Sequence, residues 1–193
     1  FISSRLFSDV PKLNDGTNWR VLLHQDVARH VVEELCRVTQ EMQETESDNT
    51  VEVTMRWLSE VEKLLVRESK SLITSKTIYD RTGFPTNRGG LEQAFIEYAD
   101  TDASVQAFAK IIEHKHTFVR VRYLREDGLL AHYHPDFLVR CDGKIYLVET
   151  KGQDQISQAN VQRKKVSALR WVERINRLPA EHRGHAEWHY CLV

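Results

Sequence analysis

The chain has 193 residues, 41% hydrophobic and 28% charged, which suits one or two domains whose core needs no staples. Lys plus Arg total 27 against 28 Asp plus Glu, so the formal net charge of −1 gives no bulk attraction to nucleic acid, and any such site must come from local clustering. Composition excludes collagen, coiled coil and wholesale disorder, and no apolar run approaches the length of a membrane span.

Phe1-Ile2-Ser3-Ser4-Arg5 lacks the apolar core and cleavage site of a signal peptide. With no initiator Met, the chain is expected to be a piece of a longer one. Cys36, Cys141 and Cys191 are odd in number and lack metal or redox spacing, so free thiols in a reducing, cytoplasmic compartment are expected. Neither G-x-x-x-x-G-K nor G-x-G-x-x-G occurs, so no nucleotide is expected on such loops.

Residues 1–18 hold few apolar anchors. Val27, Val31, Leu35 and Val38 predict a helix from Trp19 to about Glu44, ended by the polar stretch 44–49. Val51, Val53, Met55 and Trp57 alternate as in a strand. Over Leu58 to Arg67, Leu58, Val61 and Leu65 fit a helix, while β-branched content and the Ser-rich stretch that follows argue against it. Gly83, Pro85, Gly89 and Gly90 mark a boundary loop, which divides a mostly helical connecting region, 1–80, from a second domain, 81–193.

Leu91, Ala94, Phe95 and Tyr98 make one helical face. Asp102 caps a second expected helix with Val105, Phe108, Ala109 and Ile112 inward. A strand at 117–125, a second within 129–141 and a third at 144–151 follow, separated by the turn signals Asp127-Gly128 and Asp142-Gly143. A helix from 155 to 177 and a strand from 187 to 193 complete an α/β order of helices, three-stranded antiparallel meander, helix and strand.

The second and third strands carry the chemistry. If Asp142-Gly143 is a two-residue hairpin loop, Cys141 faces Lys144 and Asp136 faces Glu149. Their Cβ atoms then lie roughly 5 Å apart on one face. Lys151, two residues beyond Glu149, projects from the same face. Opposed like charges destabilise a sheet, and a divalent cation removes that penalty. A cation between the carboxylates polarises a phosphodiester, and the Lys151 amine steadies the attacking water or the developing charge. A plain surface ion triad is the competing reading. The apolar neighbours Phe137, Leu138, Val139, Leu147 and Val148 argue against a solvated rim.

Pro135-Asp136 followed by Glu149-x-Lys151 resembles the PD-(D/E)xK nuclease motif, and the element order resembles the restriction-endonuclease-like core. More narrowly, residues 89–193 resemble the C-terminal nuclease domain of type III restriction enzyme helicase subunits. The similar segments are Gly-Gly-Leu-Glu-Gln-Ala-Phe at 89–95, Tyr-His-Pro-Asp-Phe-Leu-Val at 133–139 and Tyr-Leu-Val-Glu-Thr-Lys-Gly at 146–152. The resemblance implies a Mg²⁺-dependent (or Mn²⁺-dependent) endonuclease acting on double-stranded DNA. It implies an upstream ATP-driven helicase domain, so that ATP enters only through a motor outside this chain, and a separate modification or specificity subunit. Asp136 and Glu149 are then metal ligands, with the Thr150 carbonyl as a third, and Lys151 is the catalytic amine. The family adds an acid from its first core helix. Glu92 and Glu97 are the candidates, with Glu92 favoured because it neighbours Leu91 and follows Gly89-Gly90.

Val161, Ala168, Val172 and Ile175 form the apolar face of the last helix, and Lys165 and Gln158 fall on it. Lys165 either snorkels to solvent or, with Gln158, reaches the catalytic edge to bind DNA. Arg163, Arg170, Arg174 and Arg177 form a separate stripe. It is either a solvated face or a phosphate-backbone contact led by Arg170 and Arg174. His132 and His134 share the parity of Asp136, which leaves a rim or substrate role open, and the remaining histidines lack zinc spacing. Two other functions stay open: a non-catalytic nuclease-like module for DNA or subunit binding, and a repair-type nuclease of the same fold.

Overall fold

In the computed structural model the described residues are 4, 7–8, 12–47, 52–85, 90–125 and 129–193, with backbone alone at 40 and 43–47. The chain is mixed α/β. It divides into one unit of residues 1–52 and 124–131 and a second of 53–123 and 132–193. No helix among the described residues is long and apolar enough to cross a membrane. The three cysteines are free thiols.

The first unit is built on α1 (Gln25–Ser47). The expected helix from Trp19 breaks at His24. Residues Asn18–Leu23 form a 3-10 turn whose C-cap is the extended His24, and α1 starts after it. Arg37 bridges Glu34 and Glu41 at 2.6 Å each, three and four residues away on the same helical face.

The second unit is organised by a four-stranded sheet in the order β3 (Val105–Lys110), β6 (Phe137–Cys141), β7 (Lys144–Glu149), β8 (Glu187–Leu192). The β3/β6 and β6/β7 pairs are antiparallel. The β7/β8 pair is parallel, joined by a crossover through α3 (Ala159–Asn176). Asp142 and Gly143 both have positive φ, 50° and 74°, as a two-residue primed turn demands. That turn sets the expected register, Cys141 against Lys144 through Phe137 against Val148.

One sheet face carries the core. Ile96 and Ala99 of α2 (Leu91–Thr101) meet Val105, Phe108, Phe137, Val139 and Val148. Phe95 stacks on Phe137 at 4.7 Å between ring centroids. On β8, Trp188 meets the α3 residue Trp171 edge-on at 5.4 Å and exchanges two 2.8 Å hydrogen bonds with Asn176.

Several expected elements are corrected. The second helix after Asp102 is instead β3. The Asp102 side chain does accept from Ser104 N at 2.8 Å, but the turn leads into a strand. The single strand expected within 129–141 is two: β5 (Leu130–Tyr133) pairs with β4 (Val121–Leu124) in a separate ribbon, and β6 starts after Pro135. Pro135 has no N–H to give a ladder, and the backbone is diverted there. The antiparallel trio of the main sheet is therefore β3, β6 and β7, not three successive strands. Residues 52–57 form no strand, because alternation without a partner strand cannot close a ladder. The stretch 58–67 yields only a 3-10 turn at Leu58–Glu60. The boundary drawn at 80/81 falls inside the hairpin of β1 (Ser71–Ile73) and β2 (Arg81–Gly83). Val51, Gly89 and Asp127-Gly128 lie outside the described residues.

A buried histidine ties the loop before β4 to the segment near residue 60. His116 is 0% exposed, and its Nδ1 accepts from Ile112 N at 2.9 Å. Its Nε2 sits 3.4 Å from Tyr79 Oη, which donates to the Val61 carbonyl at 2.6 Å. Burial first, then the nearby His134, holds the His116 pKa below its ordinary value. The unfolded chain therefore binds the proton more readily, and stability should fall as pH drops below about 6.5. Urea midpoints measured from about pH 7.5 to about pH 5.5 should fall for the wild type and fall less for His116→Gln. Equal pH slopes would remove His116 as the cause.

Candidate functional site

The site forms where β6 and β7 run out of ladder. Phe137 against Val148 is the last paired position, one short of Asp136 and Glu149. Asp136 instead uses its side chain: Oδ2 accepts from Thr150 N at 2.7 Å and Thr150 Oγ1 at 2.8 Å. Its carbonyl accepts from Ile111 N at 2.9 Å, which anchors the same residue to the end of β3. The β7/β8 pairing continues beyond the strand ends, with Lys151 N donating to the Val193 carbonyl at 2.8 Å and Val193 N to that of Glu149 at 2.9 Å. Backbone bonds thus fix the stretch that carries Glu149, Thr150 and Lys151.

Glu149 is 3% exposed. Val148 faces the core, so alternation turns Glu149 to the opposite face. Its Oε1 pairs with Lys151 Nζ at 2.9 Å, and that amine also donates to the Thr150 carbonyl at 2.9 Å. Its Oε2 is buried with no hydrogen-bond partner among the described residues. Burial raises the Glu149 pKa, and the Asp136 charge raises it further. The Lys151 and Lys164 charges oppose that rise without cancelling it.

The structure thus brings Asp136, Glu149, Thr150 and Lys151 together. Glu92 is also buried, but its carboxylate pairs with Lys110, whose amine lies 5.0 Å from the centre of the Phe137 ring. That is the core-facing side of the sheet. Among the described residues no group of three His, Cys, Asp or Glu side chains is arranged to hold a metal, so Glu92 does not complete a cluster with Asp136 and Glu149. Glu97 is exposed and accepts from Gln93 at 3.0 Å.

On α3, Lys165 is half-buried and Gln158 is the exposed N-cap residue. Arg170 and Arg174 are exposed. Lys164, the neighbour of Lys165, also brings a charge near Glu149. Its amine lies 5.5 Å from the Tyr133 ring centre and 5.7 Å from that of Tyr123. His132 is exposed, and His134 Nδ1 is buried without a hydrogen-bond partner among the described residues. Burial, then the Arg120 and Arg122 charges, hold the His132 pKa low.

Two phenols missing from the sequence-based site also belong here, Tyr133 on β5 and Tyr190 on β8. Burial is the main cause that raises both pKa values, and the charges of Glu149 and Asp136 add to it. Tyr133 was legible as a neighbour of Pro135-Asp136. Tyr190 required the β7/β8 register, which a crossover through α3 leaves unspecified in sequence.

The donor set suits a hard divalent cation. Mg²⁺ takes one or two carboxylates and fills its remaining positions with water and phosphate oxygen. Two close carboxylates, a backbone carbonyl and a buried carboxylate oxygen lacking a partner fit that pattern. No protein-family model, no curated protein and no solved structure matches the chain.

Proposed function

We propose that this chain carries a Mg²⁺-dependent phosphodiester hydrolase site acting on double-stranded DNA, of the PD-(D/E)xK nuclease kind, within a type III restriction helicase subunit. The observation that carries the reading is the Asp136–Glu149 pair at the open end of the β6/β7 hairpin, with Lys151 bonded to one Glu149 oxygen and the other left unpartnered. Buried carboxylate oxygens in native proteins usually have a hydrogen-bond partner. The order α2, β3–β6–β7 antiparallel, α3, then β8 supports a restriction-endonuclease-like core.

Asp136 Oδ1, Glu149 Oε2 and the Thr150 carbonyl would hold the cation. When bound, the ion supplies Lewis acidity toward the phosphodiester and makes water a better nucleophile at neutral pH. Thr150 N and Oγ1 orient the Asp136 carboxylate. Lys151 fixes Glu149 through Oε1 and sets a positive charge where negative charge develops on the phosphate. The exposed Arg170 and Arg174, with Lys165, are proposed to meet the phosphate backbone. The helicase domain, the specificity subunit and cytoplasmic action belong to the same proposal.

Calorimetric titration with Mn²⁺ tests it. Wild type should bind the ion, and Asp136→Asn should weaken binding by at least about 10-fold, the lower end for lost metal-site partners. Identical titrations for the two proteins would remove the paired-carboxylate site.

A further inference from the structure

Tyr133 and Tyr190 reach the Glu149 neighbourhood from different strands. Tyr190 pairs in register with Leu147, two residues before Glu149, so Tyr190 and Glu149 share a sheet face. Trp188 shares that face too and packs against Trp171 of α3. Tyr133 is 3% exposed, wedged edge-on against Tyr123 at 6.0 Å between ring centroids and capped by the Lys164 amine. The hydroxyls of both tyrosines are buried, and neither has a hydrogen-bond partner among the described residues. Glu149 Oε2 is in the same condition.

Three such atoms around one carboxylate need a joint explanation. A buried hydroxyl without a partner costs its full desolvation, and native proteins rarely leave one so. Two phenol donors and one carboxylate acceptor are chemically complementary. No direct bond joins them; a water between them would accept from the phenols and donate to Oε2. Phenylalanine would fill the same space without that cost.

We propose that Tyr133 and Tyr190 are positioning residues for Glu149: their hydroxyls hold its inner oxygen through ordered water and so set how tightly the site binds a divalent cation. The cation half of this inference rests on the function proposed above. The phenol–Glu149 link does not.

The test uses Tyr133→Phe, Tyr190→Phe and Glu149→Gln in the full chain. Mn²⁺ affinity by calorimetry should fall roughly 10-fold for each Tyr→Phe, as for other groups that orient a metal ligand. Thermal melts in chelator give a second, metal-independent reading. Each Tyr→Phe should lower the melting temperature in the wild-type background by roughly 2 °C or more. In the Glu149→Gln background the drop should shrink to about half or less, because hydrogen bonds to a charged carboxylate are about twice as strong as neutral ones. If Tyr→Phe raises the melting temperature equally in both backgrounds, the hydroxyls are unpartnered and the proposal is overturned. If wild type binds no Mn²⁺ while the melts show coupling, the cation reading fails and the phenol–Glu149 link stands. Unchanged Mn²⁺ affinity in both tyrosine variants of a binding-competent protein overturns the role in affinity.

Discussion

Glu149→Gln should melt above wild type in chelator at neutral pH and yet lose metal-dependent DNA cleavage in the complete enzyme. Burial and the Asp136 charge raise the Glu149 pKa above its ordinary 4.5. The folded state therefore binds this proton more tightly than the unfolded chain does. Stability from that difference is present below about pH 4.5 and is lost as pH rises through the folded pKa. Gln keeps the shape and the carbonyl that Lys151 can reach, and it carries no charge to desolvate. The gain should be on the order of 1 kcal/mol near neutral pH, typical of strain released from a functional site. For a chain of this length that is about 2–4 °C. The advantage should vanish toward about pH 4, where wild-type Glu149 is itself protonated. Excess Mg²⁺ should raise wild type and leave the variant where it was, since only the wild type gains ion-binding energy. Cleavage should fall by at least about 100-fold, beyond the range for groups that only orient a ligand. A variant that melts lower than wild type at every pH, with cleavage intact, would falsify the site.

The paired carboxylates are unequal, which their spacing in sequence does not reveal. Register alone makes Asp136 and Glu149 mirror images that repel each other. In the structure Asp136 spends one oxygen on two Thr150 donors, while Glu149 lies deeper with one oxygen unmet. The hairpin itself was legible because an Asp-Gly pair fixes the turn, the turn fixes the register, and the register fixes the faces. Everything at the site that depends on this one turn follows from local chemistry.

What depended on distant pairing was not legible. In β3, a bulge between Val105 and Ala107 shifts the strand's parity. Val105 and Phe108 therefore both reach the core, three residues apart, and Ala109 is buried as well. That spacing imitates a helical face, so periodicity reads the strand as a helix. Lys164 was passed over for a related reason. The helix face was drawn from Val161, Ala168 and Val172, which places Lys165 inward. Lys164 instead finds its partners on β4 and β5, a ribbon the sequence had merged into the main sheet.

Phe137→Ala should be the most damaging single change to the fold. The ring is 0% exposed and lies between α2 and the sheet, against Phe95 and within the cluster of Ile96, Ala99, Phe108 and Val148. Removing a buried aromatic ring costs about 3–5 kcal/mol through lost transfer energy and the cavity left behind. At about 2–4 °C per kcal/mol, the melting temperature should drop by roughly 10 °C. The effect should reach the site as well. Phe137 follows Asp136 directly and pairs with Lys110, whose amine sits over the ring and binds Glu92. Without the ring, that cation loses its apolar platform and the end of β3 loses a constraint on the Asp136 backbone. Phe137→Leu refills much of the volume and should cost less than half as much. Melts and Mn²⁺ titrations of both variants separate the contributions. Leu should restore most of the stability and most of the ion affinity together. A loss below about 1 kcal/mol for Phe137→Ala would mean that α2 does not close the core on this face.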